Sequence, residues 1–100
     1  MSDIFAAALR RYPGDGIGRM LGSPALRTGG RCYAFAAGDD LIVKLPAARV
    51  AELVAAGTGR PCSPRPGRPM REWVRVPLDL SDVLSYVVEA RTFVAGPSPD

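Results

Sequence analysis

Apolar residues recur at helical spacing near both ends and once in the middle of the chain, with alternating stretches between them. Ile4, Phe5, Ala8 and Leu9 share one side of a helix predicted over Asp3 to Tyr12, with Ser2 or Asp3 as its cap. Pro13, Gly14 and Gly16 end it, because proline removes a backbone donor and glycine admits positive φ. The period then shortens to that of strands. Extended stretches are predicted at Ile17 to Leu26 (interrupted by Gly22, Ser23 and Pro24), at Arg31 to Ala37, and at Leu41 to Leu45. Thr28-Gly29-Gly30 and Gly38-Asp39-Asp40 separate them, and turns this short make the strands antiparallel neighbours.

Pro46 and Gly57 bracket a second helix, with proline suited to a first turn and glycine to a helix end. Val50, Leu53 and Val54 form its apolar stripe, and Arg49 and Glu52 point elsewhere. Residues 58–71 are rich in proline, glycine and arginine and read as a loop, with room for a short strand around Cys62. Trp73, Val74 and Val76 favour a strand over Glu72 to Val76. Ser81 is placed to cap a last helix, whose apolar face holds Val83, Leu84, Val87, Val88, Ala90 and Val94, and Gly96 to Asp100 form a tail. The expected fold is α+β: two layers, with helices on one face of an antiparallel sheet.

Strand alternation divides that sheet. Cys32, Ala34, Ala36, Leu41, Val43, Leu45, Val74 and Val76 are the aliphatic sets expected beneath the helices. The opposite face would then gather Tyr33, Phe35, Trp73, Ile42, Lys44, Arg31 and Arg75. Such a face is too apolar to stand bare, so Tyr33, Phe35 and Trp73 are candidates for a homodimer face.

Four motifs follow one another in order: Gly18-Arg19-Met20-Leu21-Gly22, Gly30-Arg31-Cys32-Tyr33-Ala34-Phe35, Leu41-Ile42-Val43-Lys44-Leu45 and Gly67-Arg68-Pro69-Met70-Arg71-Glu72-Trp73. In this order and spacing the chain resembles the TfoX N-terminal domain family from about Ile17 to Ala95. Leu21 departs from the phenylalanine usual there. The resemblance implies an α-β-β-β-α-β-β-α order like that of secretion chaperones, often a homodimer, and no transferable catalytic residue. TfoX proteins look like two-domain regulators of DNA uptake. The present sequence is expected to match only the first domain, residues 1–100, and to lack the helical C-terminal one.

Composition narrows the chemistry. The 100 residues carry a net charge of +3, with every basic residue an arginine except Lys44. There is no histidine, which removes Ser-His, Cys-His and His-metal arrangements. Cys32 and Cys62 are too few for a structural zinc site, so neither metal nor cofactor is expected, and a disulfide switch between them needs an oxidising setting. Gly14-Asp15-Gly16-Ile17-Gly18 precedes a strand rather than a helix, which excludes a dinucleotide fingerprint. No apolar run is long enough to span a bilayer and the first ten residues lack a secretory pattern; a cytoplasmic, non-enzymatic interaction or regulatory module without membrane contact is expected. A regulatory protein partner fits that reading. The alternative is nucleic-acid or polyanion binding through the segment Arg60, Arg65, Arg68, Arg71 and Arg75, with Trp73 as a stacking surface. Arg19 and Lys44, charges set within apolar strands, complete the candidate partner- or anion-binding set of Arg19, Lys44, Arg68, Arg71, Trp73 and Arg75.

Overall fold

A computed structural model describes residues 3–20, 22–62 and 71–96. The elements are α1 (Asp3–Arg11), β1 (Gly16–Met20), β2 (Ser23–Thr28), β3 (Arg31–Ala37), β4 (Asp40–Lys44), α2 (Ala47–Ala55), β5 (Arg60–Pro61), β6 (Trp73–Pro77) and α3 (Val83–Ala95). The strands form one antiparallel sheet in the order β1-β2-β3-β4-β6-β5. The expected α+β class holds, with one strand more than the sequence pattern predicted. The first extended stretch is a hairpin: Met20 pairs with Ser23, and Gly22 turns the chain at φ 80°, a left-handed conformation that glycine adopts without strain. Pro46 caps α2 from just outside it, and Asp82 rather than Ser81 stands at the start of α3 with no side-chain capping bond.

All three helices lie on one side. Ile4, Phe5 and Ala8 of α1, Val50 and Leu53 of α2, and Val83, Tyr86, Val87, Ala90 and Val94 of α3 share a core with Leu26, Ala34, Leu41, Val43, Leu45, Val74 and Val76 of the sheet layer. Each fully buried Val or Leu stabilises the fold by about 1.5–3 kcal/mol. Arg49 ties α2 to α3 by donating from Nε to Glu89 Oε2 at 2.7 Å. The approach of β5 to β6 requires Gly59, where a Cβ would stand 2.5 Å from Val74 Cγ2.

The other face is not bare. Ala25, Phe35, Ile42, Cys62 and Trp73 make a second, smaller core, with Phe35 1% and Trp73 8% exposed. This corrects the expected homodimer face in two ways. Phe35 and Trp73 lie on the predicted side but are already buried within one chain, their rings edge to face at 5.4 Å between centroids. Tyr33 lies on the wrong side altogether, fully buried in the helix-side core. Cys32 moves the opposite way, packing against the smaller core instead of beneath the helices.

The cause is a register slip. Leu26 pairs with Ala34 but Arg27 pairs with Cys32, so Tyr33 is the extra residue of a bulge. Alternation therefore breaks at Tyr33, which joins Ala34 on the helix side. Its hydroxyl donates to Asp15 Oδ2 at 2.8 Å, and Arg91 of α3 donates to the same carboxylate from Nε at 2.8 Å and Nη2 at 3.1 Å. The Asp15 side chain is 2% exposed. The Arg91 guanidinium also lies 3.9 Å from the centre of the Tyr12 ring. Burial alone would raise the Asp15 pKa, but the hydrogen bonds from Arg91 and Tyr33 outweigh it and hold the carboxyl below its ordinary value. Burial, followed by that same carboxylate, pushes the Tyr33 phenol upward.

A carboxyl with a folded pKa below its unfolded one contributes in full above about 3.8, and the contribution is lost as pH falls through the folded value. Asp15→Asn should cost about 2–3 kcal/mol at neutral pH by leaving Arg91 without its charged partner. Thermal melts should show the wild type losing stability below about pH 4 more steeply than the variant; parallel pH profiles would contradict this.

Candidate functional site

The register that builds the second face also brings cations and aromatics to one end of the sheet. Lys44 ends β4 and pairs with Trp73, which opens β6. The Leu45 amide donates to the Glu72 carbonyl at 2.9 Å, fixing the two segments side by side just beyond the ladder. Lys44 Nζ stands 5.7 Å from the Trp73 ring centre and 4.0 Å from Glu72 Oε1. Arg31 and Cys32 begin β3 nearby, and Phe93 and Val94 of α3 close the side, leaving a cleft of about 370 Å³. Arg31 pairs with Thr28 and is exposed on the cleft rim; it is not part of the buried second face.

The remaining predicted site residues disperse. Arg75 donates from Nε to Asp40 Oδ2 at 3.1 Å and from Nη2 to the Ala37 carbonyl at 3.4 Å. Arg60 donates to the same Asp40 oxygen. Asp40, with a side chain 11% exposed, therefore engages two arginines of the segment proposed to track an anion. Arg71 borders a different, apolar groove with Ala47, Val50, Ala51, Val54 and Trp73. Arg19 is exposed on β1 and donates to the Gly22 carbonyl at 3.4 Å. Arg65 and Arg68 lie outside the described residues.

Comparison with protein-family profiles, curated proteins and solved structures returns no match.

Arg31, Cys32, Glu72, Phe93 and Val94 line the cleft from outside the candidate set, and of these Phe93 alone was not singled out by the sequence pattern in any role. Its spacing from Glu89 and Thr92 places it at the margin of the apolar stripe of α3, where periodicity counts for least. Asp15 was missed because a turn aspartate between glycines carries no sign of a partner in α3.

Neither thiol is activated. Burial raises the Cys32 pKa despite the opposing charges of Arg27 and Lys44, and the Cys32 Sγ–H donates to the Ala34 carbonyl at 3.7 Å. Burial likewise raises Cys62, with Arg75 opposing. Nucleophilic cysteines need the reverse, a depressed pKa in an electropositive, accessible setting. Among the described residues no group of three or more cysteine or acidic residues converges to hold a metal ion. No described helix is long and apolar enough to cross a membrane. The cleft sets Arg31 and Lys44 beside the apolar surface of Trp73 and Phe93.

Alkylation by iodoacetamide at neutral pH should be several-fold slower at both cysteines than for a free thiol, whose ordinary pKa is about 8.5, and should accelerate only at more alkaline pH. Rapid modification of either residue in the folded protein at neutral pH would contradict the protonated state assigned to it.

Proposed function

We propose that this chain is a non-enzymatic regulatory or protein-interaction module, as its similarity to the TfoX N-terminal domain implies, and that it self-associates along the free edge of β1. The observation that carries the reading is an asymmetry between the two sheet edges. β5 is two residues long and ends in Pro61, both features that discourage further strand pairing. β1 is five residues long, contains no proline, and presents Ile17 at 54% exposure, the sole large hydrophobic so exposed among the described residues.

An edge strand offers unpaired backbone donors and acceptors to another chain. Two copies of β1 related by a twofold axis through Gly18 would pair antiparallel, setting each Ile17 opposite the partner's Arg19. Like charges then never stand directly opposite one another, and each copy buries the other's exposed isoleucine. This replaces the sheet face as the surface for self-association. Polyanion binding through Arg60 to Arg75 draws less support, since Arg60 and Arg75 already share Asp40.

Sedimentation velocity tests the reading. The wild type is expected to dimerise in the micromolar range, and Ile17→Arg, which sets arginine against Arg19, is expected to sediment as a folded monomer. A wild type that stays monomeric, or a variant that dimerises equally well, would overturn it.

A further inference from the structure

The geometry points to the cleft at the end of α3 as a binding site for a small organic monoanion, a carboxylate with a short aryl or acyl body. This inference stands apart from self-association, because the cleft lies on β3, β4 and β6 and the free edge belongs to β1.

Charge decides the head group. Arg31, Lys44 and Glu72 line the cleft together, leaving one positive charge in excess. Arg31 is exposed and has no ion pair or hydrogen bond from its side chain among the described residues, so its planar fork is free to take a carboxylate by two bonds. Lys44 is held loosely: its 4.0 Å separation from Glu72 is well beyond the ~2.7–2.9 Å of a close charged hydrogen bond. A ligand carboxylate that reaches Arg31 would displace no internal pair, with Lys44 adding positive charge along the same cleft. A single negative charge balances the cleft, whereas a phosphate dianion would overcompensate.

The walls decide the body. Trp73 and Phe93 supply apolar surface beside the cations, and Phe93 also borders a second hollow of about 440 Å³ with Pro46 and Thr92. An aryl or short acyl group running from Arg31 across Phe93 would cover this otherwise wet apolar surface. The cleft volume of about 370 Å³ sits at the small end of ligand sites, which excludes a bulky cofactor.

Trp73 is the sole tryptophan, so its emission reports on the cleft directly. Phenylacetate titrated into the full chain is expected to change that emission saturably, with a dissociation constant of about 1 mM or tighter. Phenylacetamide, which has the same shape without charge, should bind about tenfold more weakly, as should phenylacetate to Arg31→Ala. The Arg31 side chain makes no hydrogen bond or ion pair among the described residues, so that variant should melt like the wild type, and the amide arm needs no variant at all. The site is refuted by no saturable change up to about 10 mM, by equal binding of acid and amide, or by an unaltered Arg31→Ala titration. Phenyl phosphate binding about tenfold tighter than phenylacetate would overturn the carboxylate assignment.

Discussion

A carboxylate shut away from water must find partners or give up its charge, and the fold is arranged around the way Asp15 finds them. Its oxygens take one hydrogen bond from Tyr33 and two from Arg91, joining the turn after α1, the bulge of β3 and the last turns of α3. None of these groups is near another in sequence. Their meeting fixes how far α3 lies along the sheet, and Phe93 and Val94, next in the same helix, are thereby set over the starts of β3 and β6. Removing one partner would strand a buried charge, which is why the arrangement constrains more than its few bonds suggest.

Two cores of unequal size follow from the same register. The larger takes all three helices, and the smaller collects Ala25, Phe35, Ile42, Cys62 and Trp73 on the reverse of the sheet. Charges on that reverse side are disposed of locally: Asp40 accepts from Arg60 and Arg75, and Lys44 lies over Trp73. Among the described residues Arg31, at one end of the sheet, makes no side-chain hydrogen bond or ion pair, and the backbone of β1 forms one edge. The functional readings rest on those two features, one a site for a small anion and the other a line of contact with a second chain.

Most elements were legible because they rest on local rules. Pro46 and Gly57 bracket α2, the paired glycines mark the β2–β3 turn, and the alternation of Leu41, Val43 and Leu45 assigns β4 its inner face. The failures arise where distant parts of the chain decide. Gly22 looked like an interruption of one strand, since a turn and a defect share the same residues. Alternation runs unbroken through Cys32, Tyr33 and Ala34 in the sequence, and only pairing with β2 inserts the bulge that reverses it. Extending the period past that point sent Tyr33 to the wrong face and made the reverse side look open. Lys44 and Trp73 stand together only because of the β4–β6 register, which the sequence pattern does not show, and Arg75, a candidate from the arginine-rich segment, is occupied by Asp40.

The clamp between Asp15 and Arg91 can be measured directly by a double-mutant cycle on urea-unfolding free energies at neutral pH, using Asp15→Asn, Arg91→Gln and the pair. The structure predicts a coupling of about 1–3 kcal/mol, because each single change strands the other group. Additivity within about 0.5 kcal/mol would mean that the two side chains do not act together and that this clamp does not place α3.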